Sequence, residues 1–198
     1  KKSRVTKMSV ELARIRRHAY PHIQKFNTYI DIGALDGDTS TALVKDFERV
    51  VCFEPNPYTF EQLSEDVEKY NVALSDTETT TDLILPNGKD IPGHASISRF
   101  KKGGFWENES RNPYVIKDVA VKTLDSYNFT DVSFIKIDTE GSEFQIIQGG
   151  MQTITEYKPV MFYEVKQKDQ QPTTDLIRSL GLDYKFKVAE GGNMVAYV

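Results

Sequence analysis

From residue 27 to the C-terminus, short apolar runs rich in β-branched and aromatic residues alternate with segments of helical periodicity. This alternation is the strongest constraint on the fold. Parallel strands need a long crossover between them, and crossover helices cover both faces of the sheet they build. The runs at 29–31, 50–53, 72–74, 134–137 and 160–163 read as strands. A helix is expected over 39–47, with Asp38 or Thr39 as its cap, and another over 57–70. In the second, Asn56 caps, Pro57 opens, and Phe60, Leu63, Val67 and Tyr70 fall at spacings of 3, 4 and 3. A helix over 142–157 carries Phe144, Ile147, Met151 and Ile154, and Pro172 opens a last one that stops at Gly181. Residues 184–188 and 194–198, joined through Gly191 and Gly192, read as a closing hairpin. The alternation is interrupted once. Strand-like runs at 82–85 and 119–123 flank the stretch 86–113, which is rich in Gly and Pro and has no helical pattern, so it is read as a long substrate or lid loop.

Charge divides the chain differently. Residues 1–25 carry eight basic side chains and one acid, Glu11, so the remaining body is strongly acidic within a total of -4. Met8, Leu12, Ile15 and Ala19 recur at spacings of 4, 3 and 4, which predicts a basic amphipathic helix within 1–26 ahead of a catalytic domain at 27–198. The acidic body would repel phosphates and no recognition motif accompanies the basic head, so nucleic acid is not an expected partner. Cys52 is the single cysteine, which excludes a disulfide framework. No run approaches the ~20 apolar residues of a membrane span, and the start lacks the apolar core of a signal peptide. A soluble, cytoplasmic protein is therefore the expectation. Because the chain begins at Lys1, an upstream segment and its targeting information can be missing, and the chain can be one module of a larger protein.

The most informative local motif is Tyr29-Ile30-Asp31-Ile32-Gly33-Ala34-Leu35-Asp36-Gly37-Asp38-Thr39, a strand that enters a glycine turn and then a helix. Gly33 permits a sharp turn and leaves room against the strand end, and Gly37 permits close approach near the helix start. The glycines stand four apart, so this is not the G-x-G-x-x-G dinucleotide fingerprint, and Asp31, Asp36 and Asp38 would repel a pyrophosphate. A cofactor with a cationic centre and a free amino group, such as S-adenosylmethionine, suits that charge better. Glu54 ends the second strand, where a carboxylate can accept both hydroxyls of an adenosine ribose. Asn56 follows it, and Ala73 and Leu74 at the end of the third strand are candidates to hold the adenine. The cofactor set read from the sequence is therefore Asp31, Gly33, Ala34, Asp36, Gly37, Thr39, Glu54, Asn56, Ala73, Leu74 and Asp138.

Asp31-Ile32-Gly33-Ala34, Phe53-Glu54-Pro55-Asn56, Thr123-Leu124-Asp125 and Ile135-Lys136-Ile137-Asp138-Thr139-Glu140-Gly141-Ser142-Glu143, followed by Lys158-Pro159 and Tyr163-Glu164-Val165, occur in one order along residues 29–165. In these motifs the chain resembles the FkbM family of S-adenosylmethionine-dependent methyltransferases. The resemblance implies a Rossmann-like class I methyltransferase fold: an α/β sandwich with a mostly parallel seven-stranded sheet, an antiparallel last strand and helices on both faces. It also implies O-methylation of sugars, glycans or glycosylated natural products. At Leu35-Asp36 the chain departs from the family, whose members commonly begin this pair with Asn.

Methyl transfer needs alignment and water exclusion, and a hydroxyl acceptor also needs its proton removed by a base or its oxygen bound to a metal. Asp138, Glu140, Glu143 and Glu164 should gather at the C-terminal edge of the sheet, where ligands bind in open α/β folds. Asp138 is the first candidate for the reacting centre, with Glu140 beside it as base or anchor and His94 in the long loop as an alternative base. Ser96, Phe105, Trp106, Glu143 and Glu164 are candidate substrate contacts, with a capping role open for Glu143. Asp138 and Glu164 offer oxygen ligands suited to Mg²⁺, but two acids do not define a site, so no metal is expected. Two other classes stay open: a nicotinamide-dependent oxidoreductase, for which Glu54 argues and the glycine spacing does not, and a binding module without turnover.

Overall fold

The computed structural model describes residues 2–85, 95 and 114–198. Helix α1 (Lys2–His18) is followed by a parallel core in which β1 (Thr28–Ile32) pairs with β2 (Arg49–Phe53) on one side and β7 (Val132–Ile137) on the other. The main sheet also contains β3 (Glu68–Tyr70), β8 (Val160–Glu164), β9 (Lys185–Val188) and β10 (Asn193–Tyr197), in the order β3-β2-β1-β7-β8-β10-β9. β10 is antiparallel to both of its neighbours and the remaining pairs are parallel. The seven-stranded sheet and its antiparallel last-formed strand agree with the sequence reading.

Side-chain alternation along the strands sorts two cores. Ile30, Ile32, Ile135, Ile137 and Met161 face α4 (Glu143–Gln148), α5 (Met151–Tyr157) and α6 (Gln167–Arg178). Tyr29, Phe134 and Phe162 face α1 and α2 (Asp38–Leu43), which contribute Ile15 and Leu43, and Ala19 just after α1. Ile15 and Leu43 are fully buried, and each such side chain stabilises by roughly 1.5–3 kcal/mol relative to exposure. By the same alternation Asp31 and Lys136, which are cross-strand partners, fall on the α1 face among apolar residues.

Several elements differ from their sequence expectation. The helix expected over 39–47 ends at Leu43, and its N-cap is Gly37, which has no side chain to cap with, while the Thr39 hydroxyl donates to Glu11. The helix expected over 57–70 is reduced to α3 (Pro57–Phe60), and residues 68–70 form strand β3 beside β2. Asn56 caps α3 as expected, accepting from Tyr58 N at 3.1 Å. The run at 72–74 does not join the main sheet. Its residues Ala73–Leu74 form β4 in a second sheet, β4-β6-β5, with β5 (Thr79–Leu85) and β6 (Tyr114–Lys122), around Leu83, Leu85, Val119 and Val121. The expected helix 142–157 is broken into α4 and α5 at Gly149 and Gly150. A Cβ on Gly149 would stand 2.0 Å from the Ser75 carbonyl oxygen, so close approach to the second sheet sets the break. Asp125 then caps α5, accepting from Gln152 N and Thr153 N at 3.0 and 2.9 Å. Helix α6 opens at Gln167 with Pro172 inside it; the hydroxyls of Thr173 and Thr174 bond back to Asp169 O and Gln170 O at 2.8 Å, occupying carbonyls around the proline.

Candidate active site

The ends of β1, β2 and β7 are stitched together by backbone bonds. Gly33 N and Ala34 N both donate to Phe53 O, at 2.9 and 3.1 Å, and Asp138 N donates to Ile32 O at 3.0 Å. Gly33 has φ +80, and a Cβ there would lie 2.0 Å from the Asp138 carbonyl oxygen. The Cβ direction at Gly33 is thus filled by the end of β7, which leaves no room there for any side chain. Leu35 adopts φ +55, a left-handed conformation that Asn tolerates better than a bulky apolar residue. Its contact is made by the backbone: Leu35 N donates to Glu54 Oε2 at 2.8 Å.

Glu54 is buried directly after β2. Its Oε1 accepts from Asn56 N at 2.9 Å, so each oxygen holds one backbone donor and keeps acceptor capacity for another. Burial pushes its carboxyl up to about 7, against the lowering effect of the Asn56 and Leu35 N–H groups and the Thr59 hydroxyl. Asn71 Nδ2 donates to the Glu54 carbonyl at 2.8 Å and fixes the backbone. The structure therefore has a carboxylate of defined orientation beside the glycine turn, and these residues fit the ribose hydroxyls of an adenosyl cofactor. Asp36 Oδ1 accepts from Asp38 N at 3.3 Å within the turn. Ala73 and Leu74 are buried in β4.

Asp31 is placed differently from its expected role at an open strand end. It is fully buried, accepts from Lys136 Nζ at 3.1 Å, and accepts from the Ser40 hydroxyl. Burial works against the charge on Lys136, but Asp31, Glu11 and Asp138 outweigh it and hold its proton well above the usual lysine range. Lys136 and Glu11 were missed as site residues. The available signals were a lysine inside an otherwise apolar strand and a lone acid in a basic helix.

At the ends of β7 and β8 the acids do converge. Burial first, then repulsion by Asp138 and a hydrogen bond with it, pushes the Glu164 carboxyl up to about 7, with Glu140 and Glu143 adding to the repulsion. Glu164 therefore keeps its proton up to near neutrality beside Asp138. Glu143 is turned onto its own loop: its Oε1 accepts from Thr139 N at 3.1 Å, Thr139 Oγ1 at 3.1 Å and Gly141 N at 3.0 Å, which secures the turn where Glu140 has φ +57. These bonds lie in the loop ahead of α4 and differ from the helix cap expected as one of its roles. Among the described residues no group of three or more His, Cys, Asp or Glu is placed to hold a metal ion. His94, Ser96, Phe105 and Trp106, expected in the substrate loop, lie outside the described residues. At the rim, the exposed Tyr58 and Tyr114 join α3 to β6 through a 3.1 Å hydroxyl contact, another feature absent from the sequence reading. No described helix is long and apolar enough to cross a membrane.

The family described as Methyltransferase FkbM domain matches residues 31–188. Among solved structures, a methyltransferase FkbM from Methylobacillus flagellatus KT is similar with a TM-score of 0.62 at 17% identity, over 89% of this chain. The chain spans 45% of that protein's length. A precorrin 8w decarboxylase from Methanobacterium thermoautotrophicum is similar with a TM-score of 0.53 at 10% identity, over 94% of this chain and 88% of that one. A precorrin-6y C5,15-methyltransferase from Geobacter metallireducens GS-15 is similar with a TM-score of 0.50 at 11% identity, over 96% and 83%. These three likenesses bear on the fold. No curated protein matches the chain.

Proposed function

The chain belongs to the FkbM family of S-adenosylmethionine-dependent methyltransferases, and from that premise we propose that it methylates a hydroxyl oxygen of a sugar, glycan or glycosylated natural product. The observation that carries the reading is the placement of two kinds of acid along one sheet edge, a backbone-held Glu54 after β2 and, at β8, a Glu164 whose proton affinity is raised by burial and by the neighbouring Asp138. S-adenosylmethionine supplies a sulfonium-activated methyl group. Glu54 would accept its ribose hydroxyls, Asn56 would support Glu54, and residues 33–37 would lie against it. Transfer would break the methyl–sulfur bond, leaving S-adenosylhomocysteine, as the acceptor oxygen takes the methyl group, and the acceptor's proton would pass to the acids Asp138 and Glu164, with Glu140 as the neighbouring anchor. A carboxyl near neutrality suits that transfer because it is partly ionised yet retains affinity for the proton. Tyr58 and Tyr114 present flat apolar faces on which a sugar ring can pack.

The test is calorimetric titration with S-adenosylhomocysteine and, separately, NAD⁺, repeated on Glu54→Ala. Tight binding of S-adenosylhomocysteine alone, lost in the variant, supports the reading and justifies a screen of sugar acceptors for labelled methyl transfer. Binding of NAD⁺ instead moves the chain to the oxidoreductase class.

A further inference from the structure

We propose that Glu11 of the N-terminal helix is a positioning residue of the cofactor site, closing from a half-buried position a ring of otherwise buried residues that fixes the turn between β1 and α2; this rests on the functional reading above. The ring can be followed atom by atom. Thr39, in the first turn of α2, donates its hydroxyl to Glu11 Oε2 at 2.7 Å. Glu11 Oε1 lies 3.6 Å from Lys136 Nζ. Lys136 Nζ donates to Asp31 Oδ1 at 3.1 Å, and Asp31 Oδ2 accepts from Ser40, the residue after Thr39. Four elements, α1, β7, β1 and α2, each supply at least one member.

The turn at 33–37 is spanned by this ring, with Asp31 two residues before it and Thr39 two residues after it. Leu35 N, one of the two backbone donors that orient Glu54, lies within the same turn. Removing Glu11 leaves a buried lysine with one carboxylate partner and a buried threonine hydroxyl without its acceptor, at positions where water has little access. The first turn of α2 is then free to shift, and the Leu35 donor shifts with it. The rest of α1 argues for this specific role. Other polar contacts of its described residues, such as Arg16 with Asp46 at 3.3 Å and Arg17 with Glu190 at 2.9 Å, are peripheral ion pairs that hold the helix down, whereas Glu11 points inward as the one acid of a basic segment.

The experiment is calorimetry of S-adenosylhomocysteine binding to the full chain as wild type, Glu11→Ala, Thr39→Val, the double variant, and Arg17→Ala as a docking control. Melting temperatures are measured alongside. Each ring variant should bind about three- to tenfold more weakly. The two losses should not add in the double variant, and Arg17→Ala should bind as wild type does. Amide exchange of residues 33–40 should also accelerate in Glu11→Ala. Wild-type affinity in Glu11→Ala overturns the proposal, as does an affinity that simply follows melting temperature across all variants, Arg17→Ala included. Should Glu11→Ala fail to fold, Thr39→Val and Glu11→Gln carry the same comparison. A wild-type chain that binds no S-adenosylhomocysteine overturns the functional reading itself.

Discussion

The two halves of the sheet edge treat their acids in opposite ways. On the β1–β2 side each carboxylate is met by donors: Glu54 by two backbone N–H groups, Asp31 by a buried lysine and a serine hydroxyl. On the β7–β8 side Glu164 is met by other acids, chiefly Asp138, with Glu140 and Glu143 adding to the repulsion. Fixed donors give an acid a defined orientation, which suits holding a ligand. Glu54 owes its raised proton affinity chiefly to burial, whereas at Glu164 neighbouring acids add to burial, an arrangement that suits accepting a proton during a reaction. A fold that separates these environments along one edge can bind a cofactor and activate an acceptor without either demand compromising the other.

The contrast can be broken most severely at Gly33, where the halves meet. Gly33→Ala should cost more than about 4 kcal/mol, because its Cβ collides with the Asp138 carbonyl at a positive φ; a guanidinium unfolding midpoint equal to wild type would show that the strand ends can part freely. Glu164→Gln should lower methyl transfer roughly a hundredfold while leaving S-adenosylhomocysteine affinity within about threefold, if the pair serves as base. Single-turnover rates and calorimetry separate the two effects. The opposite pattern belongs to Glu54→Gln, which should weaken S-adenosylhomocysteine roughly thirtyfold by removing a charged acceptor, with the fold retained.

Titration sharpens the same contrast more gently. Glu54 and Glu164 are both raised from 4.5 to about 7, so each binds its proton more tightly in the folded chain. That contribution to stability is fully present below about 4.5 and is lost as the pH rises through about 7. The melting temperature of the unliganded protein should fall across that window, and Glu164→Gln should remove part of the fall. Ribose hydroxyls on Glu54 would favour its ionised form, so binding near pH 7 should release a proton, visible as a binding enthalpy that depends on the buffer. The smallest effect is expected at Leu35→Asn, a gain of about 0.5 kcal/mol from relief at a positive φ, with the backbone bond to Glu54 kept. A loss of stability there would mean that packing by Leu35 outweighs its backbone strain.

Much of the frame was legible because burial imposes a period. The runs at 29–31, 50–53, 134–137 and 160–163 lie within observed strands of the main sheet, and Asn56 caps α3 as its position before Pro57 suggested. Glu54 and the converging acids followed from strand ends alone. The misreadings have a common cause, since helical spacing over 57–70 and 142–157 was real but tertiary contacts interrupted it. Residues 68–70 found a strand partner in β2, and Gly149 had to pass against Ser75.

The sequence by itself determined the strands at 29–31, 50–53, 134–137 and 160–163, and with them which residues arrive at their C-terminal ends, because alternation and helical periodicity are local properties of the chain. It also determined the family through motifs in a fixed order. Only the tertiary structure decided that Asp31 faces Lys136, that Glu11 of the N-terminal helix reaches Thr39 across 28 positions, and that Glu143 secures its own loop. The partner of a buried charge is set by register and by which helix covers which face, and these are relations between segments that no local pattern encodes.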